Sequence, residues 1–323
     1  MKEVVWKAGR RLGADQGGIL VVDKPGGWTS HDVVAKVRRL LGIRKVGHVG
    51  TLDPEATGLL PVCVGSATRI VEYLMELPKS YRVECILGEE TDTHDATGRV
   101  VARHDPSRLS GDQIRTVIMR FRGTIEQVPP MYSAVRKNGR RLYELARRGE
   151  RVPRDPRTVT LYEICEVVCS IPRISFVVRC SKGTYVRALC RDIGRELGVG
   201  AHMSRLRRIE SASFVEKDAY SLDRIMEMDK EEIFSLLVPM DRALAAFQPV
   251  VVRQPGLRKV CQGQPLVEED FSEKPVFGSW KENRMFTVYG EDGAFLAVAK
   301  AGRSASTQPA LFPKKVFCTD RIK

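Results

Sequence analysis

The sequence predicts an α+β protein with a small β-rich domain at its C-terminal end. Three observations point there. Alternating or short apolar runs, the patterns of strands, interleave with stretches of helical period up to about residue 245. Around Pro249 the helical period gives way to short strand patterns. The chain is also organised around one stretch, Lys45-Val-Gly-His-Val-Gly-Thr-Leu-Asp53-Pro-Glu-Ala-Thr-Gly-Leu-Leu-Pro-Val-Cys-Val-Gly-Ser-Ala-Thr-Arg69. Gly47, Gly50 and Pro54 make its first half a loop. Leu59 to Val64, bounded by Gly58 and Gly65, reads as a buried strand, so Asp53 stands on a loop held by the core.

The first sixteen residues are basic and aperiodic and read as a tail, taken as residues 1–17. Gly18 to Lys24 is a strand running into a Pro25-Gly26-Gly27 turn. Thr29 or Ser30 caps a helix carrying Val33, Val34, Val37, Leu40 and Leu41 and stopped by Gly42. Ser66 is expected to cap a helix with Ile70, Val71, Leu74 and Met75 on one face, ended by Pro78. Lys79 to Gly88 alternates, with Tyr81, Val83, Cys85 and Leu87 sharing a face. Ser110-Gly-Asp-Gln113 is a capping box opening a helix with Ile114, Val117, Ile118 and Phe121 inward. Thr158 to Val168 and Arg173 to Cys180 are strands. Ser181 to Arg187 turns into a helix with Leu189, Ile193 and Leu197 inward, and weak helices run from Ser221 to about Ala246. A hairpin spans Phe286 to Ala299 and turns at Glu291-Asp292-Gly293.

At 323 residues a large core forms without staples. Against 40 acidic residues stand 53 lysines and arginines, a formal charge of +13 that suits a polyanionic partner, although a solvated basic surface has the same composition. The eight cysteines form no Cys-x-x-Cys pair and read as buried, reduced thiols of a cytoplasmic protein rather than zinc ligands. No signal peptide or membrane-spanning run is present. No dinucleotide fingerprint or Walker loop appears either, which argues against nucleotide-dependent chemistry.

Read on residues alone, the candidate positions keep two meanings each. Asp53 before Pro54 is a turn initiator as readily as a catalytic carboxylate. Tyr81 is a core aromatic as readily as a platform for a base, and His48 a loop histidine. Between Gln127 and Gly149, Arg136, Lys137, Arg140, Arg141, Arg147 and Arg148 stand among Tyr132 and Tyr143, a pattern shared by RNA-backbone contacts and solvated helix faces. Thr91-Asp-Thr-His-Asp95-Ala-Thr-Gly98 has the look of a cation loop but lacks the distal glutamate of an EF-hand.

The run from His48 to Arg69 closely resembles the catalytic segment of the TruB family of tRNA pseudouridine synthases. The likeness continues through Lys24-Pro25-Gly-Gly-Trp-Thr-Ser-His-Asp-Val, Lys79-Ser-Tyr81, Lys182-Gly-Thr-Tyr185-Val-Arg187 and Gly200-Ala-His-Met-Ser-Arg-Leu206-Arg-Arg, covering roughly residues 18–245. The resemblance implies a pseudouridine synthase fold: a mixed, mostly antiparallel sheet with flanking helices over residues 18–248, then a PUA-like RNA-binding domain over 249–323. It implies Asp53 as the catalytic residue, Arg187 as its ion-pair partner and Tyr81 as the ring stacked on the target uracil. Tyr185 and Leu206 would line the pocket, and His48 would wedge into the space left by the flipped base. The Lys24 motif would support the catalytic loop. The insertion at about 110–157 would grip the tRNA arm and marks the stand-alone bacterial form rather than a guide-RNA-dependent one. The implied substrate is uridine 55 of the tRNA T-loop, acted on by a monomer without metal, cofactor, membrane or protein partner, with tRNA refolding as a possible companion activity.

Pseudouridine formation detaches uracil from C1′, turns it and rejoins it through C5, which needs neither redox change nor phosphate energy. One carboxylate at the sugar–base junction suffices, either attacking C1′ or assisting removal of a ribose proton. Two other classes compete. A binding module holding the tRNA elbow predicts a decayed set of catalytic residues, and a metal-dependent hydrolase would use Asp53 with Asp92 and Asp95.

Overall fold

The computed structural model describes residues 17–133, 135–137, 139–150, 152–273, 282–304 and 307–318. Its first elements are β1 (Gly18–Lys24), α1 (Ser30–Leu41), β2 (Val46–His48), β3 (Thr57–Val64), α2 (Val71–Glu76) and β4 (Lys79–Leu87). A hairpin of β5 (Glu89–Thr91) and β6 (Val100–Arg103) leads to α3 (Gly111–Arg120) and β7 (Gly123–Gln127). A second hairpin, β8 (Arg136–Lys137) and β9 (Arg140–Arg141), precedes α4 (Leu142–Arg147). Then come β10 (Arg157–Ser170), β11 (Arg173–Cys180), α5 (Val186–Glu196), β12 (Ala201–Ser211), β13 (Phe214–Val215) and β14 (Tyr220–Ser221). Three short helices, α6 (Leu222–Glu227), α7 (Lys230–Ser235) and α8 (Met240–Ala243), lead to β15 (Gln248–Val252) and α9 (Gln254–Cys261). The chain closes with β16 (Met285–Gly290), β17 (Phe295–Arg303) and β18 (Pro309–Val316).

The main sheet runs β14-β1-β3-β12-β4-β11-β10-β7, with β2 on β3 and β13 on β12. Only β1/β14 and β3/β12 pair in parallel, so the sheet is mixed and mostly antiparallel. Strand β12 is its keystone. It is inserted between the half-sheet of β1 and β3 and the half-sheet of β4, β11, β10 and β7, parallel to one and antiparallel to the other.

Alternation along the strands explains how both faces are covered. Leu20, Val22, Leu60 and Val62 pack against Val33, Val34, Val37 and Leu41 of α1. The neighbouring Ile19, Val21, Leu59 and Cys63 point the other way, onto Ala67, Ile70 and Leu74. In the other half, Tyr81, Val83, Cys85 and Leu87 share a buried face with Ile114 and Ile118 of α3 and with Leu189 and Ile193 of α5. Helix α1 opens with a capping box between Thr29 and Asp32 and stops at Gly42, whose φ of 65° is the left-handed cap geometry glycine adopts freely. The Ser110–Gln113 capping box opens α3 as the sequence indicates.

The C-terminal strands form a separate sheet, β15-β16-β17-β18, with its own core around Phe271, Phe286, Leu296 and Leu311. It is packed on the main body. Val298, Phe247, Phe295 and Phe317 join the cluster of Ile70 and Leu74, and Arg69 donates to the Val316 carbonyl at 2.9 Å.

Two expectations are corrected. The single helix expected after Ser66 is a 3-10 segment, Gly65–Ile70, followed by α2, and Met75 is 43% exposed. The tighter 3-10 winding rotates later side chains away from the face that a continuous helix would present. The cysteines are not all reduced: Cys261 at the end of α9 and Cys318 beyond β18 form a disulfide. They stand 57 residues apart in sequence, and only the folded sheet brings their Cα atoms to 5.5 Å. Cys63, Cys85, Cys180 and Cys190 are free and buried, whereas Cys165 and Cys169 are partly exposed.

Candidate active site

Asp53 occupies the irregular segment between β2 and β3, and the residues on either side of it are tied down from one upstream segment. Ser30, wholly buried at the start of α1, accepts from the Leu52 amide at 2.9 Å and donates back to the Leu52 carbonyl at 3.3 Å. The buried Lys24 ammonium donates to the carbonyls of Pro25, Trp28 and Pro54 at 2.7–2.8 Å. The Gly27 amide also reaches Pro54 O, at 3.0 Å. Leu52 and Ala56 anchor the loop in the cluster that holds Tyr81. The Lys24–Ser30 segment therefore clamps the Asp53 loop on both sides.

The burial of Lys24 lowers its pKa to about 8, with Glu55 and Asp53 opposing the shift. Because carbonyls rather than a carboxylate receive its protons, Lys24 fixes backbone without competing for the Asp53 side chain.

Arg187 comes from the first turn of α5 and is 6% exposed. Its Nη2 donates to Asp53 Oδ1 at 2.9 Å, stands 2.9 Å from Oδ2 and also donates to the Tyr132 carbonyl at 3.0 Å. Its Nη1 donates to Asp95 Oδ2 at 3.2 Å. Burial pushes the Asp53 carboxyl above its ordinary value; the Arg187 cation pulls it back and the Asp95 charge adds to the rise. With 37% of its side chain open, Asp53 remains accessible to a reacting atom.

Asp95 thus belongs to the site. It is held by Thr93 Oγ1 at 2.7 Å, Thr97 Oγ1 at 2.6 Å and the Thr97 amide at 3.0 Å. The Asp-Thr loop orders the arginine. Among the described residues no group of three or more His, Cys, Asp or Glu side chains could hold a metal ion, so the hydrolase arrangement with Asp92 has no basis in the geometry.

Tyr81 lies 7% exposed on β4, and burial raises its pKa while the Arg208 cation opposes the rise. Leu206 sits partly buried on β12 opposite Val83, on the Tyr81 face. Tyr185 occupies the N-cap position of α5; its amide donates to Gln127 Oε1 at 2.7 Å, and burial raises the pKa of its phenol. His48 lies on β2 with its ring 5.2 Å from that of His31, edge to face. Burial, then the neighbouring charges of His31 and Arg208, lower its pKa to about 4, so the ring is neutral at physiological pH and suited to stacking.

The structure therefore gathers Asp53, Tyr81, Tyr185, Arg187 and Leu206 around one loop and one sheet face. Of the basic residues proposed for RNA, Arg140 and Arg148 are exposed; the side chains of Arg136, Lys137, Arg141 and Arg147 lie outside the described residues. Sequence reasoning missed the Asp95–Arg187 bond and the buried Arg208. The signal for Arg208 was its parity: on a strand, residues 206 and 208 share a face, and that face carries the leucine of the pocket.

Residues 38–186 match the family described as TruB family pseudouridylate synthase (N terminal domain), and residues 187–245 match tRNA pseudouridylate synthase B C-terminal domain. A protein of Syntrophotalea carbinolica named tRNA pseudouridine synthase B is 44% identical over 282 residues, 87% of this chain and 91% of that one. One of the same name from Clostridium perfringens strain SM101 is 43% identical, over 88% and 94%. Among solved structures, a chain of an H/ACA RNP bound to a substrate RNA containing 2′-deoxyuridine superposes with a TM-score of 0.73 at 26% identity, over 95% of this chain and 87% of that one. The class these findings define is a pseudouridine synthase, an isomerase. Within that class, the chain belongs to the TruB family.

Proposed function

We propose that this chain converts uridine 55 in the T-loop of tRNA to pseudouridine, with Asp53 as the essential carboxylate. The observation that carries the reading is the Asp53–Arg187 pair at 2.9 Å, held on a loop clamped on both sides and facing the Tyr81 strand. The names of the relatives from Syntrophotalea and Clostridium support tRNA as the substrate. In the reaction, the C1′–N1 bond breaks with its electron pair passing to uracil, a C1′–C5 bond forms, and the C5 proton leaves while N1 gains one. Arg187 orients Asp53 and favours its ionised form. Tyr81 stacks on the flipped uracil, Leu206 and Tyr185 bound its pocket, and the neutral His48 ring fills the vacated stack, offsetting part of an unstacking cost of a few kcal/mol.

The basic segment Arg136–Arg148 and the C-terminal sheet, read as a PUA-like domain, contact the RNA backbone. The protein acts as a monomer in the cytoplasm, with no metal, cofactor or protein partner. Release of a refolded T-arm would add a folding activity independent of Asp53.

The test is tritium release from tRNA labelled at uracil C5, in chelator, with the modified position mapped. Wild type is expected to release tritium at position 55, and Asp53→Asn to bind tRNA and release none. Binding without release by both proteins would overturn the reading in favour of an RNA-holding module.

A further inference from the structure

Among the described residues Arg208 is the largest fully buried side chain, at 0% exposure, and no carboxylate pairs with it. Its Nε donates to the Leu59 carbonyl at 2.6 Å and its Nη2 to the Gly50 carbonyl at 3.2 Å, while Nη1 is buried without a hydrogen-bond partner among the described residues. Removing an ion from water costs several kcal/mol, and carbonyl dipoles compensate that only in part. The neighbouring Arg207 on the same strand is treated differently: it points to the other face and is paired with both Asp23 and Glu216. At one point of β12 there thus stands a buried cation held by carbonyls, with no carboxylate partner among the described residues.

That point is directly opposite Tyr81. Arg208 and Tyr81 are cross-strand partners in the β12/β4 register, so the buried guanidinium and the buried phenol ring lie on the same face of neighbouring strands. The other arm of the same guanidinium ends on Gly50, the turn that opens the catalytic loop. A Cβ added at Gly50 would lie 3.4 Å from Arg208 Nη1 and 3.2 Å from Lys79 Cε, so the absence of a side chain there is what lets the loop settle on the cation.

We propose that Arg208 is a positioning residue for the isomerisation, which holds the Gly50 turn and the strand opposite Tyr81 through one guanidinium and places a buried positive charge beside the Tyr81–uracil pair as negative charge develops there. The inference rests on the proposed role of Tyr81 as the uracil platform. When the C1′–N1 bond breaks, the electron pair stays on the uracil ring, and the Tyr81 on which that ring stacks has the buried cation as its cross-strand neighbour. Arg208 does not touch the base, and its effect passes through Tyr81.

Two measurements test this. The first is a cycle of Arg208→Gln, Arg208→Lys, Tyr81→Phe and the double variants, with folding checked by thermal unfolding. Single-turnover tritium release should fall about 30-fold or more in Arg208→Gln, while tRNA affinity changes less than about threefold. Arg208→Lys should recover part of the rate, and the loss from Arg208→Gln should shrink at least fivefold in the Tyr81→Phe background. The second measurement needs no activity. A ring-fluorinated tyrosine, whose phenol ionises nearer neutrality, is incorporated at position 81 and titrated by 19F NMR. Its ionisation should move up by about 1 to 3 pH units in Arg208→Gln, the shift expected on losing an adjacent cation. An additive cycle together with an unmoved ionisation would overturn the proposal and leave Arg208 as sheet packing. A moved ionisation in a protein that makes no pseudouridine would instead sink the functional reading while the Arg208–Tyr81 linkage stood.

Discussion

Arg187 donates to Asp53 and Asp95 at once, and this arrangement sets the acid side of the pH profile. In the proposed reaction the ionised Asp53 is the working form, so activity should be lost as pH falls through its pKa. Burial and Asp95 push that pKa up and Arg187 holds it down. Arg187→Met should therefore move the acidic limb of kcat/KM to higher pH by about 1 to 3 units, besides lowering the plateau; a limb at the wild-type position would show that the arginine only packs. Lys24 and Lys79 give a second prediction. Both have pKa values lowered to about 8 from 10.5 by burial, so between those values the unfolded chain binds more protons and stability rises with pH. The urea midpoint of the wild type relative to Lys24→Met should shift in favour of the wild type from pH 8 to 10, a comparison in which the opposite contribution of buried thiols such as Cys63 and Cys180 cancels. At this scale the sequence was readable where chemistry and motif coincide, as at Asp53 and Arg187. It was silent on the bond between Asp95 and Arg187, because a short Asp/Thr loop looks the same whether it orders its own turn or an arginine 92 residues away.

The catalytic loop is an element with almost no regular structure, and its shape is imposed by Ser30 and Lys24 from outside. Ser30→Ala would strip the Leu52 amide and carbonyl of their partner in a buried place, a loss of about 1–3 kcal/mol, and should lower kcat more than tRNA affinity. Further along, Gly58 is needed for space. Its φ is +96°, and a Cβ there would sit 2.3 Å from the Arg208 carbonyl oxygen on the parallel neighbour β12. Gly58→Ala should destabilise the fold by roughly 1–3 kcal/mol, read from urea unfolding, since backbone must move to admit the methyl. Strands with clean alternation, such as β4, could be read from the chain directly. The 3-10 start of the segment after Gly65 could not, since its apolar spacing suits an α-helix equally well.

Across the whole molecule, charge and the second sheet decide behaviour. A net +13 makes tRNA binding salt-dependent, and each phosphate-contacting arginine removed from the 136–148 segment should reduce the slope of log K against log salt by about 1. The C-terminal sheet is not a bead on a tether. Lys315 pairs with Glu72 at 2.9 Å, Arg69 lies over the Phe317 ring at 4.7 Å, and Val298 enters the cluster of the main body. Truncation after Phe247 should lower the thermal midpoint of the remaining domain by several degrees before any RNA is added. The change of pattern near Pro249 revealed a second sheet; nothing in the sequence revealed its docking or the Cys261–Cys318 bond, both of which exist only once distant segments meet.

The keystone position of β12 has a consequence for birth on the ribosome. Asp53 belongs to one half-sheet and Tyr81 to the other, and until residues 201–211 emerge the two halves have no shared edge. The first strand waits longer still, since its outer neighbours are Tyr220–Ser221 and Val238. A nascent chain carries Asp53 and Tyr81 well before it can hold them in one sheet, and each half-sheet meanwhile exposes an open edge on which it can pair wrongly.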